Sequence, residues 1–149
     1  MKRINIDTQQ AHFIGCWNLE NNKLCNEITQ FFENNKELQI QGITSYGKDL
    51  KAKKTTDIPV NPNDLKNPKF EVLKKYMDEL YKCFIDYQNQ WPFLKSVIKV
   101  VDVPGFNIQK YSRGDHFAQL HSERTTLDTL HRLFAWMTYL NDVDDGGQT

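Results

Sequence analysis

Apolar residues recur at helical spacing in two segments of the chain. The first is Asn21–Asn35, where an asparagine at the start is suited to cap a helix. The second begins at Pro68 and ends before Pro92. The apolar positions are Leu24, Ile28, Phe31 and Phe32 in the first segment, and Phe70, Leu73, Met77, Leu80 and Phe84 in the second. Two amphipathic helices are therefore predicted. The second is expected to cover one face of a sheet rather than to line a ligand groove.

Shorter apolar or aromatic segments, separated by turn residues, predict strands elsewhere. The predicted strands are His12–Trp17, Phe106–Ser112, Phe117–Glu123 and His131–Leu140. Turns are predicted at Ser112–Asp115 and Asp144–Gly147. The segment Thr44–Asn67 combines glycine and proline with many Lys, Asp and Asn residues, and it is predicted to be an extended surface loop.

This order, helices first and strands second, predicts an α+β fold in which helices pack on one outer face of an antiparallel sheet or barrel. A length of 149 residues corresponds to about one domain. We expect a single domain over 1–149, with a mainly helical support region at 1–92 and barrel strands at 93–149.

The overall charge is balanced, because 19 Lys and Arg residues face 19 Asp and Glu residues. The chain therefore has no general attraction to nucleic acid or acidic lipid, and neither is expected as a partner. No apolar run approaches the roughly 20 residues of a membrane span, and no signal peptide is recognisable. Cys16, Cys25 and Cys83 form no C-x-x-C motif. Reduced, mostly buried thiols in a cytoplasmic protein are the expectation.

His121-Ser122-Glu123 is the first candidate for chemistry. On a strand, residues i and i+2 point to the same face, so this imidazole and this carboxylate would lie side by side. Such a pair can supply two ligands of a facial triad for non-haem iron. The alternative is that both side chains simply face solvent, and the short motif alone does not decide between the two.

The residues around the pair extend the pattern. Phe106–Phe117 precedes it, with a strand ending in Tyr111, a glycine turn and an aromatic residue. Arg132–Val143 follows it, ending in Tyr-Leu-Asn, and Gly146-Gly147-Gln148-Thr149 comes after an acidic turn. This order resembles the prolyl 4-hydroxylase type of iron(II)- and 2-oxoglutarate-dependent oxygenases. The resemblance covers Phe106–Thr149, less than a third of the chain.

The resemblance implies roles for four residues. His121 and Glu123 would bind the metal, and Tyr111 and Tyr139 would lie beside 2-oxoglutarate, with the phenol of Tyr139 near its distal carboxylate. A phenol can donate a hydrogen bond there without adding charge. The alternative for each tyrosine is a core residue with a satisfied hydroxyl. If Tyr139 points inward, strand alternation turns Leu133, Ala135 and Met137 inward too, and Phe134 and Trp136 outward.

Two departures from the family pattern affect the expected activity. The family's acid is Asp, whereas this chain has Glu123, whose carboxylate reaches further but is still a hard oxygen ligand. The family also uses a distal His and a basic Lys or Arg for 2-oxoglutarate, both from strands later than Thr149. We therefore expect the 149-residue chain alone to be inactive and to self-associate through an open sheet edge. His12, His116 and His131 are not obvious replacements for the missing ligand.

The implied fold is a helical layer on part of a double-stranded β-helix, or jelly-roll barrel. The implied function is a dioxygenase that uses Fe(II), 2-oxoglutarate and molecular oxygen, with ascorbate as reductant, to hydroxylate a C–H bond. Its substrate would be a peptide, prolyl being the family's best-known target, or a small molecule. The alternative is a catalytically inactive jelly-roll domain with a binding or regulatory role.

Overall fold

The computed structural model describes residues 1–7, 12–44, 47–124 and 126–147. These residues form two compact units. Unit 1 comprises Met1–Asn34 and Val60–Phe106, and unit 2 comprises Asn35–Pro59 and Asn107–Thr149. Helices with small antiparallel sheets make up the described chain, which agrees with the predicted α+β class. No sheet closes into a barrel within the residues described.

Unit 1 is helical with one small sheet. Strands β1 (Lys2–Ile4) and β2 (Cys16–Asn18) pair antiparallel. The helices are α1 (Asn22–Asn34), α2 (Glu71–Gln90) and the short α3 (Leu94–Val97). Both long helices lie where the apolar spacing predicts them. The strand predicted at His12–Trp17 is displaced, since β2 overlaps it only at Cys16 and Trp17.

The start of α2 follows from its first residues. Asn67 Oδ1 accepts a hydrogen bond from the backbone N–H of Lys69, and Pro68 opens a 3-10 turn that continues into the helix at Glu71. The buried face of α2 includes Leu73, which is fully buried, and Tyr76. Cys83 is also buried on this helix, and all three cysteines of the chain are free. None of the helices in the described ranges has the length and apolar character needed to cross a membrane.

The remaining strands belong to unit 2 apart from two end residues, Val60 and Phe106, which belong to unit 1. These strands are β3 (Ile40–Gln41), β4 (Lys53–Lys54), β5 (Thr56–Val60), β6 (Phe106–Lys110) and β7 (His116–Phe117). One sheet has the order β3-β5-β6, and β4 pairs antiparallel with β7 in another.

The prediction that Thr44–Asn67 is a surface loop is wrong. This segment contains β4 and β5, and Ile58 and Val60 are almost completely buried. The many charged and polar residues of this segment are typical of a solvated loop. Two of them, Lys53 and Asp57, are instead buried. Ser45 and Tyr46 lie outside the described residues.

Two predicted strands of unit 2 also differ from the structure. The strand predicted at Phe117–Glu123 ends at Phe117, and every residue of 131–140 is described but none belongs to a strand. Backbone groups of a strand need a neighbouring strand, whereas the contacts in 119–124 are local: His121 Nδ1 lies 3.0 Å from the carbonyl of Gln119, and Ser122 Oγ accepts from the N–H of Arg124 at 3.3 Å. In the second segment burial alternates only over residues 136–140, and the residues predicted to point inward are the exposed ones. Trp136 and Thr138 are half-buried, whereas Leu133 and Met137 are exposed.

Candidate functional site

His121 and Glu123 lie in the segment after β7, and their side chains face each other. The distance from His121 Nε2 to Glu123 Oε1 is 3.5 Å. Both side chains are about half exposed. His121 Nδ1 lies 3.0 Å from the carbonyl oxygen of Gln119. Because a carbonyl can only accept, this contact puts the imidazole proton on Nδ1 and leaves Nε2 with a lone pair in the neutral ring.

The other oxygen of Glu123 is held by Arg132. Arg132 Nη1 donates to Glu123 Oε2 at 2.9 Å. A 3-10 turn brings Arg132 back toward the carboxylate. The turn is capped by reciprocal bonds between Thr126 and Thr129, and the N–H of Arg132 donates to the carbonyl of Thr129. The ion pair orients Glu123 so that Oε1 remains directed at the imidazole.

Phe117 connects this pair to the sheet. Its ring stacks on the ring of His121, with centroids 4.6 Å apart and an interplanar angle of 25°. Phe117 is the register partner of Lys53 in the β4–β7 ladder. The Lys53 ammonium lies 5.5 Å from the centroid of the Phe117 ring, within the range of a cation–π interaction.

Lys53 belongs to a group that we call the buried polar network. Lys53, Thr55 and Asp57 are its buried members, and the exposed Gln109 reaches it from β6. Lys53 Nζ donates to Asp57 Oδ2 at 2.7 Å, and each side chain of this ion pair is 4% exposed. Thr55 Oγ1 donates to Asp57 Oδ1 at 2.7 Å, and Gln109 Nε2 donates to Asp57 Oδ2 at 3.2 Å. The carboxylate thus accepts three hydrogen bonds, which satisfies a charge that would otherwise be costly to bury.

Gly42 lies against the buried polar network. Its N–H donates to the carbonyl of Thr55 at 2.9 Å. A Cβ at this position would overlap Thr55 Oγ1 and would lie 3.0 Å from both Asp57 Oδ2 and Lys53 Cε. A side chain at residue 42 would therefore displace the network, so glycine is required here by close approach.

Tyr111 lies at the other end of the network. Its hydroxyl donates to Gln109 Oε1 at 3.5 Å, a long hydrogen bond. Burial raises the pKa of Tyr111 above its ordinary value, and the Asp57 carboxylate and the Tyr139 phenol raise that pKa further. The side chain of Tyr139 itself is 62% exposed.

Three of the four residues singled out by sequence, His121, Glu123 and Tyr111, are thus linked by contacts within unit 2, and Tyr139 influences the pKa of Tyr111. Glu123 and His121 form one end, Phe117 and the buried polar network form the middle, and the tyrosines form the other end. Sequence reasoning missed the network. Its signal was the alternation Lys53-x-Thr55-x-Asp57, which places three polar side chains on one side of an extended segment.

The other two histidines of unit 2, His116 and His131, do not join the pair. His116 Nε2 lies 3.1 Å from the carbonyl oxygen of Lys51, and its Nδ1 lies 3.5 Å from that of Gly114. His131 is exposed. No group of three His, Cys, Asp or Glu side chains suited to a metal ion occurs in the part of the chain that the structure describes.

The glycine turn at the end of the family pattern is partly described. Gly146 and Gly147 both have positive φ, which favours glycine. Gln148 and Thr149, which complete the motif, lie outside the described residues. Comparisons of the chain with family models, with curated proteins and with solved structures give no match.

Proposed function

We propose that this chain is an iron(II)- and 2-oxoglutarate-dependent dioxygenase that hydroxylates a C–H bond of a peptide, prolyl in the first instance, or of a small molecule. The observation that carries the proposal is the 3.5 Å approach of His121 Nε2 to Glu123 Oε1. Two ligands that lie at right angles on one metal ion are about 3 Å apart, since each is about 2.1 Å from the metal. A small side-chain adjustment brings the observed pair to that spacing.

The two donors, an imidazole nitrogen of His121 and a carboxylate oxygen of Glu123, suit a first-row divalent metal ion. One imidazole nitrogen and one carboxylate oxygen are two of the three donors of the triad that binds non-haem iron. The Gln119 carbonyl fixes the tautomer that leaves Nε2 available, and Arg132 orients the carboxylate through its other oxygen. The proposal requires a third ligand and a basic 2-oxoglutarate-binding residue from outside this set. It also includes the jelly-roll fold, with the helices as its support layer.

When bound, Fe(II) would supply the oxidative chemistry, in which one atom of O₂ enters the substrate and the other enters succinate as 2-oxoglutarate loses carbon dioxide. The residues of this chain would bind and orient. The raised pKa of Tyr111 keeps its phenol protonated. Its single O–H proton, which is donated to Gln109 Oε1 at 3.5 Å, would be donated instead to a carboxylate of 2-oxoglutarate when the co-substrate binds. Tyr139 would do the same at the distal carboxylate. Ascorbate is the expected reductant. With all three cysteines free, we propose the cytoplasm as the location.

Metal binding by the full chain tests the proposal directly. Mn(II) is a suitable probe, because it is stable in air and broadens the NMR signals of nearby nuclei. We expect it to broaden the side-chain signals of His121 and Glu123 first. His121→Ala and Glu123→Ala should abolish the effect, whereas Glu123→Asp should retain it because the carboxylate remains.

The matched control for His121→Ala is His131→Ala, which removes an exposed imidazole outside the pair. The metal assignment is wrong if His121→Ala leaves Mn(II) binding unchanged, or if Mn(II) broadens His131 as strongly as His121. Release of succinate from 2-oxoglutarate tests turnover separately, because two ligands can bind a metal ion without completing the catalytic site.

One observation favours a second candidate, a binding or regulatory domain without catalytic activity. Arg132 already neutralises Glu123 at 2.9 Å, so the carboxylate has a cationic partner without any metal. In this case Arg132 takes the role of the metal, and the pair would be a surface ion pair. The same titration separates the two candidates. Undisturbed His121 signals at millimolar Mn(II) favour the binding domain, whereas selective broadening favours the oxygenase.

A further inference from the structure

We infer that the buried Lys53–Asp57 ion pair is a positioning element that connects the two ends of the candidate site. Lys53 would orient the metal-binding end through Phe117, and Asp57 would orient the tyrosine end through Gln109. The inference rests on the proposed function for the identity of those ends. The contacts themselves are independent of it.

Burying the Lys53–Asp57 ion pair has an energetic cost. Removing two charges from water is expensive, and their mutual attraction commonly no more than offsets that penalty. Apolar side chains of similar volume are often as stabilising in such a position, so stability alone is a poor reason for a buried lysine and aspartate. Each is 4% exposed, in a unit whose buried apolar residues include Ile58 and Ile108. Orientation of neighbouring groups is a better explanation, because charged hydrogen bonds are both strong and directional.

Lys53 acts on the metal-binding end. Its ammonium lies 5.5 Å from the centroid of the Phe117 ring, and the same ring stacks on His121 at 4.6 Å. His121 has a rotatable side chain in a segment without regular structure, so its ring orientation depends on three contacts: the Gln119 carbonyl at Nδ1, the Glu123 carboxylate at Nε2 and the Phe117 face. Loss of the cation leaves Phe117 free to tilt, and the stacked imidazole would tilt with it.

Asp57 acts on the tyrosine end. Its Oδ2 accepts from Gln109 Nε2 at 3.2 Å, which turns the amide so that Gln109 Oε1 faces the hydroxyl of Tyr111 at 3.5 Å. If Asp57 became an amide or an apolar residue, Gln109 could rotate by half a turn and present its NH₂ group to the phenol instead. The Asp57 carboxylate thereby determines whether the Tyr111 hydroxyl faces the carbonyl oxygen or the NH₂ group of Gln109.

The network has little freedom to take up another arrangement. Thr55 Oγ1 holds Asp57 Oδ1 at 2.7 Å, and the space that a side chain at residue 42 would need is already filled by network atoms. Lys53 is also fixed at its backbone by the β4–β7 ladder opposite Phe117. A substitution of either Lys53 or Asp57 should therefore alter side-chain orientation at both ends of the site.

The test compares Lys53→Met with Lys54→Met in the full chain. Lys54 is the next residue of β4, and its ammonium pairs with Asp115 at 3.0 Å, so its removal controls for loss of one lysine from the same strand. The readouts are the NMR shifts of the His121 ring, which report the stacked Phe117, the Mn(II) dissociation constant, and the pKa of Tyr111 by ultraviolet titration.

We expect Lys53→Met to shift the His121 ring signals. It should also weaken Mn(II) binding by about tenfold, the lower end of the range for residues that orient metal ligands without binding the metal. Lys54→Met should change neither. Asp57→Asn should lower the pKa of Tyr111, because it removes a negative charge that disfavours the phenolate. Lys53→Arg, which keeps the cation, should restore much of the metal affinity.

The outcomes separate this inference from the proposed function. If Mn(II) does not bind the wild type but Lys53→Met moves the His121 signals and Asp57→Asn moves the Tyr111 pKa, the function fails and the positioning role stands. If the His121 signals and the Tyr111 pKa respond to these changes no more than to Lys54→Met, the positioning role is overturned. Should either single variant unfold, Lys53→Met with Asp57→Leu replaces both charges by apolar groups, and the same readouts decide the question.

Discussion

Unit 1 buries large apolar and aromatic side chains such as Phe32 and Leu73, whereas the deeply buried side chains of unit 2 include Lys53, Thr55 and Asp57. In unit 1 the core is built from residues that repeat every three or four positions on two helices. In unit 2 it depends on specific hydrogen bonds between residues on different strands. An apolar core can lose one side chain and keep the rest of its contacts. A polar network leaves an unsatisfied charge when one member is removed.

The two units also differ in where charge is placed. Unit 1 has a charged cluster, Arg3 and Trp17 on Asp86, in which the ionised side chains remain about one-third exposed. Unit 2 also has exposed ion pairs, but its Lys53–Asp57 pair is buried, and the residues expected to bind metal and co-substrate lie at the two ends of that pair. The unit whose core contains a buried ion pair is thus the one in which the sequence predicts metal and co-substrate binding.

The largest effect on stability is expected from Lys53→Met, which leaves the Asp57 carboxylate buried without its cation. Loss of one member of a buried pair lowers the free energy of unfolding by about 3–5 kcal/mol. Urea denaturation of the variant and the wild type would measure the difference. Replacing Asp57 with Leu in the same chain should recover most of the loss. A variant in which Lys53→Met alone is neutral would show that the pair is not buried in solution.

The next effect tests the apolar core of unit 1. Leu73 is completely buried on α2, so Leu73→Ala removes several contacts and leaves a cavity. We expect the free energy of unfolding to fall by about 2–5 kcal/mol. No second substitution at a single partner should restore it, in contrast to Lys53. Lys74→Ala, the exposed neighbour on the same helix, is the control and should change stability by less than about 0.5 kcal/mol.

A smaller effect on stability is expected at low pH, where Asp86 becomes protonated. The hydrogen bond from Trp17, followed by that from Arg3, holds the pKa of Asp86 below its ordinary value of about 3.9. A carboxyl group with a lowered pKa in the folded state stabilises the protein above its unfolded pKa, and this contribution is lost as the pH falls through the folded pKa. Thermal melts between pH 6 and pH 3 should therefore show a steeper loss of stability in the wild type than in Asp86→Asn.

The difference between the units explains how much could be predicted from the sequence. The two long helices were predictable, because apolar spacing on a helix is a local property of the chain. The strands of Thr44–Asn67 were not, since Lys53 and Asp57 are typical of a solvated loop until their partners are known. Burial of the pair depends on contacts between β4, β5 and β6, which no local pattern encodes.

Part of the candidate site was predicted from the sequence. For His121 and Glu123, however, the structural reason for their proximity differs from the predicted one. His121 and Glu123 are side by side, but not because a strand alternates its side chains. The Gln119 carbonyl and the turn that returns Arg132 orient them instead. These contacts are made by backbone groups and by a residue nine positions away, so the spacing His-x-Glu alone could not indicate them. Phe117 was expected as an aromatic residue of the family pattern, but its contact with Lys53 was not.

The smallest effect on stability is expected at Tyr139, whose exposed hydroxyl is proposed to act on 2-oxoglutarate. Tyr139→Phe should leave the free energy of unfolding unchanged within about 0.5 kcal/mol, since the side chain is 62% exposed. If the phenol donates to a carboxylate of 2-oxoglutarate, its loss removes a hydrogen bond worth about 0.5–1.5 kcal/mol, or up to about 3 kcal/mol for a charged acceptor. The Kd for 2-oxoglutarate, or its KM where turnover is measurable, should then rise by several-fold to about a hundredfold.

Tyr81→Phe provides the matched control for this change, because Tyr81 is 60% exposed on α2 in unit 1. It deletes the same hydroxyl from a similarly exposed ring far along the chain from the proposed co-substrate residues. Isothermal titration with 2-oxoglutarate should separate the two variants while their urea denaturation curves coincide. Equal affinities in both variants and the wild type would leave Tyr139 as a surface residue. The tyrosine end of the site would then depend on Tyr111 and the network behind it.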